Sequence, residues 1–206
     1  MIWNSLSNAL NYLNTPFFSI QSSGKSCVYL TFDDGPNSNT QKLFSFLDEH
    51  NISATHFWLF SQTEKAGTEF EFGIQKIAVH GWNHVRYSKL SKKEVLAEFQ
   101  KIQSVLDEKR IPVDKYFRSP YGSYKPGLSS ICKKFNFRLI FWSHLFEDYL
   151  HDFNPETIRK ESSYLRAGSI VVMHDKENHY DRICETVLLL QSELLKRNLH
   201  LTCLPS

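Results

Sequence analysis

A chain of 206 residues with 41% hydrophobic and 14% aromatic content is long and apolar enough to bury one substantial core, which excludes a disordered chain. Its 24 Lys and Arg against 22 Asp and Glu leave a formal charge of only +2, and no dense basic run is present to track a phosphate backbone, so nucleic acid is not an expected partner. The four cysteines (Cys27, Cys132, Cys184 and Cys203) form no CxxC pair and read as small, mostly buried thiols rather than a structural zinc site.

Residues 1–26 carry neither a basic leader with a continuous apolar stretch nor a membrane span. They read as an N-terminal extension, a short amphipathic helix packed on the domain. A cytoplasmic location is the default expectation unless a secretion signal lies upstream. From residue 27 to 206 the pattern is that of one α/β domain, in which short β-rich runs alternate with helical stretches.

Strands are predicted at 27–32, 54–60, 75–79, 116–118, 137–142, 169–173 and 200–204. Helices are predicted at 40–50, at 91–110, from Asn154 onward and at 180–197. Ser91 and Glu94 form a capping box ahead of Val95, Leu96 and Phe99, and Asn154-Pro155-Glu156 is a second start signal, with Pro at the first helical position. No repeat, linker or composition shift marks a further domain.

About seven strands suit a closed or nearly closed barrel of parallel strands. In such barrels the residues just after the strands converge on one rim. Here those are Asp33 and Asp34 after the first strand, His80 after the third, Arg118 after the fourth, Asp148 after the fifth and His174 after the sixth.

In LTFDDGPN two adjacent carboxylates end an apolar strand ahead of Gly35 and Pro36, so the pair leaves the pleat in a turn; one could bind a cation while the other stays free. Taken alone, the segment also reads as an ordinary turn. In HGWNH the spacing of His80 and His84 brings two imidazoles to one side, and with one Asp they make a two-histidine, one-carboxylate set that leaves positions open for water and substrate. Taken alone, an HxxxH pair is also two surface or capping histidines.

Arg118, in FRSPYG, can hold a carboxylate in place and keep it ionised, with Asp33 the obvious partner, and Pro120 fixes the backbone so that Tyr121 and its amide can face the same rim. His174 emerges from the apolar run of GSIVVMHD and has the titration range a general acid requires; Asp148 could orient it.

In this order the motifs resemble the polysaccharide deacetylases of the NodB-homology type, carbohydrate esterase family 4, over roughly residues 27–204. TFDDGP (31–36), HGWNH (80–84) and RSPYG (118–122) are similar to the family's first three motifs. WSHLFEDY is similar to the fourth, with Tyr149 where tryptophan is usual, and VMH to the fifth, with Val172 at a usual leucine. Gly81 stands where Ser or Thr is usual.

The resemblance implies a distorted (β/α) barrel related to the TIM barrel, with Asp34, His80 and His84 binding one divalent ion, most readily Zn2+, with Co2+, Ni2+ or Mn2+ as alternatives. It implies Asp33 as base, His174 tuned by Asp148 as acid, Arg118 orienting Asp33, and the Tyr121 backbone N–H stabilising an oxyanion. The implied reaction is removal of N-acetyl groups from an acetylated oligo- or polysaccharide of chitin or peptidoglycan type, with release of acetate. The alternatives are an O-acetyl esterase or another amide hydrolase on the same fold, and a catalytically silent sugar-binding domain. From the residues alone the reading reaches only metal-assisted hydrolysis of a carbonyl derivative.

Overall fold

The computed structural model describes residues 26–63, 66, 70–146 and 154–206. The helix expected over residues 1–26 and the predicted site residue Asp148 lie outside the described residues, Ser26 excepted.

The central strand is β1, Cys27–Gly35. Its alternation sorts side chains to two faces: Val28, Leu30 and Phe32 pack outward against helices, and Tyr29 points inward to join Phe57, Ala78, Ile140 and Ile170. Around it run β2 (Thr55–Trp58), β3 (Lys76–Val79), β4 (Val113–Phe117), β5 (Arg138–Leu139), β6 (His144–Leu145), β7 (Ile170–His174) and β8 (His200–Thr202).

The sheet has eight strands in the order β5-β4-β3-β2-β1-β7-β6, with every pairing parallel. β8 pairs with the start of β1: Tyr29 faces Thr202 on one side and Ile170 of β7 on the other, so β8 lies below the point where β2 begins. The curled sheet is a distorted (β/α) barrel whose β5 and β6 edges do not pair with each other among the described residues.

The strand predicted over 137–142 is corrected. Only Arg138 and Leu139 pair with β4; the chain then crosses the gap, and His144 and Leu145 pair with β7. The amide of Ile140 still donates to Phe117 O at 2.9 Å, while that of Ser143 donates to Ile170 O at 3.0 Å. Phe137, Leu139 and Phe141 face one core and Ile140 the barrel interior, so side-chain alternation persists after the ladder has changed partner. A period-2 pattern records burial, which does not stop where the pairing does.

The helices cover the outer face. They are α1 (Thr40–Glu49), α2 (Lys92–Lys109), α3 (Leu128–Lys134), α4 (Pro155–Ser162) and α5 (Tyr180–Leu195). The Ser91–Glu94 capping box is formed in both directions, and Asn154 caps α4 through the Glu156 amide at 2.8 Å. The short α3 has no side-chain cap and begins after Gly127 at φ 87°, so it carries none of the start signals that marked the others. No helix of the described residues is long and apolar enough to cross a membrane.

Phe99 of α2 is fully buried between Tyr87, Phe117, Phe135 and Phe137. Phe99→Ala is expected to cost about 3–5 kcal/mol in denaturant unfolding, and Ser91→Ala about 1 kcal/mol. A loss below 1 kcal/mol for Phe99→Ala would contradict this packing.

His56 of β2 is buried between Phe32 and Phe44, and burial pushes its pKa down to about 3. The unfolded imidazole takes a proton near the ordinary value of about 6.5. Between these values the unfolded chain binds more protons, so stability falls as pH drops from 6.5 toward 3. A His56→Gln variant is expected to show a shallower fall over this range; identical slopes would refute the assignment.

Candidate metal centre

On the inward face of β1, Thr31 and Asp33 follow Tyr29 at period 2, and a regular strand would send Asp34 to the opposite face. It does not, because the register against β2 shifts between Asp33 and Gly35 and Asp34 adopts φ 75°, in the left-handed region that Asp tolerates better than most residues. The predicted turn after the strand is therefore a bulge within its last residues, and it brings two neighbouring carboxylates to one rim. Gly35 is required by close approach, since a Cβ there would lie 2.8 Å from Asp175 Oδ2 and 3.2 Å from Trp58 Cδ1.

His80 follows β3, its amide bonded to Trp58 O at 2.8 Å. Its Nδ1 lies 2.9 Å from Arg118 O, an acceptor, so this nitrogen carries the proton and Nε2 is left to face Asp34. Asp34 Oδ1 is 3.6 Å from His80 Nε2 and 3.3 Å from His84 Nε2. His84 sits in a loop rather than on a helical turn.

Two tests favour a divalent ion among these three residues. Their ligand atoms all lie within 4.8 Å of one another, and ligands at zinc's usual bond lengths sit about 3.4 Å apart in a tetrahedral site. Asp34 Oδ1 is also buried with no hydrogen-bond partner, a costly state for a carboxylate that a cation relieves.

Burial, reinforced by the Asp33 charge, raises the Asp34 pKa despite the nearby His80. Burial likewise lowers the pKa of His80 and of His84, where the charges of His174, Lys176 and Arg86 add to it. The imidazoles are thus held in the neutral form that ligates metals.

Arg118 follows β4 and is fully buried. One Nη1 donates to Asp33 Oδ1 at 2.7 Å and to Thr31 Oγ1 at 2.8 Å, and Nη2 donates to Phe141 O at 3.2 Å. The guanidinium lies over the Phe57 ring at 4.0 Å. Burial alone would raise the Asp33 pKa, but Arg118, His80 and His174 outweigh it and hold the carboxyl below its ordinary range. Asp33 Oδ2 is 3.8 Å from His80 Nε2, so an ionised carboxylate stands beside the candidate metal ligands.

His174 ends β7 directly opposite Asp33 in the register, and its charge is felt by both aspartates. Tyr121, in a short turn after Pro120, adopts φ 60° and is 50% exposed, with its ring centre 4.2 Å from that of His84. An open cleft of about 320 Å³ beside the group is lined by Asp34, His84, Leu59, Gln62, Asp175 and Lys176 among others.

Sequence reading missed two residues here. Thr31 shares Arg118 with Asp33, and strand alternation was the signal that could have found it. Asp175 is 4% exposed, accepts Thr40 Oγ1 at 2.6 Å and Asn37 Nδ2 at 2.9 Å, and donates its amide to Asp33 O at 2.8 Å. It ties the loop after the two aspartates to the strand that ends in His174, and its place beside His174 was the available signal.

A parallel barrel that gathers a carboxylate, two histidines and an arginine-held second carboxylate on its C-terminal rim places them where the catalytic sites of such barrels form, with a donor set that a divalent ion would fit. The chain belongs to the polysaccharide deacetylase family, whose profile matches residues 21–140. It is 31% identical over 153 residues to the peptidoglycan-N-acetylglucosamine deacetylase PgdA of Listeria monocytogenes, an alignment covering 72% of this chain and 32% of that protein. The chain thus spans about a third of the length of that curated relative.

Among solved structures, the Bc1960 peptidoglycan N-acetylglucosamine deacetylase superposes with a TM-score of 0.80 at 24% identity, covering 91% of this chain and 90% of that one. A family pseudoenzyme from Bacillus anthracis, BA3943, superposes at 0.74 with 18% identity, covering 89% and 65%. These two likenesses establish the fold.

Titration of the metal-free chain with zinc is expected to give one bound ion per chain by calorimetry. At a hundredfold excess over Kd it should add about 2.7 kcal/mol of stability. His84→Ala should abolish both effects, and undiminished zinc binding in that variant would remove His84 from the group.

Proposed function

We propose that the chain is a metal-dependent N-deacetylase of acetylated amino sugars in oligo- or polysaccharides, releasing acetate. The observation that carries this reading is the 2.7 Å contact between the buried Arg118 and Asp33, beside the convergent Asp34, His80 and His84. A bound divalent ion, zinc by its ligand set, would supply Lewis acidity to the acetamide carbonyl and to water.

Asp33 is the base: it accepts the proton of the water that attacks the acetamide carbonyl. Arg118 keeps it ionised and aimed, its second and third contacts to Thr31 and Phe141 stopping the guanidinium from turning away. His174, across the register from Asp33, donates a proton to the departing amine, with Asp148 as the charge that tunes it. The Tyr121 backbone N–H supports the oxyanion. The carbonyl carbon–nitrogen bond breaks, and the products are acetate and a free amino sugar.

The pseudoenzyme of the same fold means that architecture alone does not carry turnover. The ionised base beside an intact metal group favours an enzyme over a silent binding domain.

Acetate release from chitooligosaccharides, peptidoglycan fragments and O-acetylated xylan, with zinc-loaded and chelated protein beside Asp33→Asn, tests the proposal. N-acetyl substrates should release acetate only with metal, and Asp33→Asn should lower kcat by about 10²–10⁴-fold. Release from O-acetyl substrates alone would make the chain an esterase. Undiminished activity after chelation would end the metal reading, and no release by folded, zinc-loaded protein would end the deacetylase reading.

A further inference from the structure

Arg86 follows the second histidine of the metal group by two residues and is exposed. Its guanidinium carbon lies 4.3 Å above the centre of the Tyr121 ring, the same ring that leans on His84. Tyr121 therefore links the metal group to a fixed positive charge at the surface. Among the described residues this guanidinium makes no ion pair or hydrogen bond, unlike Arg118, bound to Asp33, and Arg197, bound to two backbone carbonyls.

A guanidinium held over an aromatic ring by its π face retains its N–H donors for another partner, and these form a planar fork that matches an oxyanion through two parallel hydrogen bonds. The ring contact restricts the side chain in advance, which reduces the ordering cost of binding. The Asp33 and Asp34 charges do not compete for it: the first is taken by Arg118, and the second faces the histidines.

The geometry points to Arg86 as a subsite for an oxyanion carried by the substrate near its acetamido group, so that the substrate is an acidic N-acetylated amino sugar rather than a neutral one. The inference rests on the deacetylase reading for the identity of the rest of the ligand. A sugar carboxylate and a sugar phosphate share the required chemistry.

The test is calorimetric binding to zinc-loaded Asp33→Asn protein at low salt, which does not depend on turnover. The probes are the N-acetylglucosamine–N-acetylmuramic acid disaccharide, whose lactyl group supplies a carboxylate, N-acetylglucosamine 6-phosphate, and neutral N,N′-diacetylchitobiose. At least one acidic probe should bind about tenfold more tightly than chitobiose, with the preference shrinking as salt rises.

Adding Arg86→Gln should erase the preference, and Arg86→Lys should keep only part of it, because an ammonium lacks the fork. Preference for the carboxylate assigns a peptidoglycan-type substrate, and preference for the phosphate assigns a phosphosugar. Equal binding of all three, no binding of any, or a preference that survives Arg86→Gln overturns the inference. A preference that depends on Arg86 in a protein whose wild type releases no acetate would instead leave the subsite standing and remove the deacetylase reading.

Discussion

The buried pair of Asp33 and Arg118 is the constraint around which the mouth of the barrel is organised. An arginine with no solvent exposure is a heavy penalty unless its charge and donors are matched, and removing one member of such a pair leaves the other uncompensated. Three strand ends and the crossing segment all contribute to the match. β1 supplies Asp33 and Thr31, β2 supplies the Phe57 ring, β4 delivers the arginine, and Phe141 closes the set through its carbonyl. The backbone carbonyl of the same Arg118 orients His80. One residue thus aims Asp33, the proposed base, with its side chain and His80, a proposed metal ligand, with its main chain.

Much of this was legible because the responsible signals are local. The capping box at Ser91 and Glu94 and the Asn154-Pro155 start each depend on a few adjacent residues, and both are formed. The apolar run from Cys27 to Phe32 marked the central strand, although the strand continues through the aspartates. What escaped was decided at a distance. The left-handed turn of the backbone at Asp34 reflects how β1 and β2 register, the division of 137–142 reflects which neighbour happens to lie alongside, and α3 begins without a side-chain cap, its first residue Leu128 fully buried in the core.

The site residues show the same division. Motif spacing singled out His80, His84 and Arg118 because their chemistry is conspicuous outside a core. Asp175 was passed over because a carboxylate in a loop has many ordinary explanations, and only the fold reveals that Asn37 and Thr40 converge on it. Burial is the first cause of the raised pKa of both Asp34 and Asp175, the Asp33 charge adding to it at Asp34 and the Asp34 charge at Asp175. A carboxylate so placed, with Asp34 Oδ1 buried and without a hydrogen-bond partner, is better matched by a cation than by a neutral ligand.

The crossing of residues 140–143 between β5 and β6 has a geometric corollary. Because this short run is hydrogen-bonded to Phe117 at one end and Ile170 at the other, it works as a belt that sets the girth of the barrel. Phe141, in the middle of the belt, also holds the guanidinium that aims Asp33. Girth and aim are therefore one variable: lengthening the belt by a residue would widen the mouth and turn Asp33 in the same movement, so the two cannot be tuned apart.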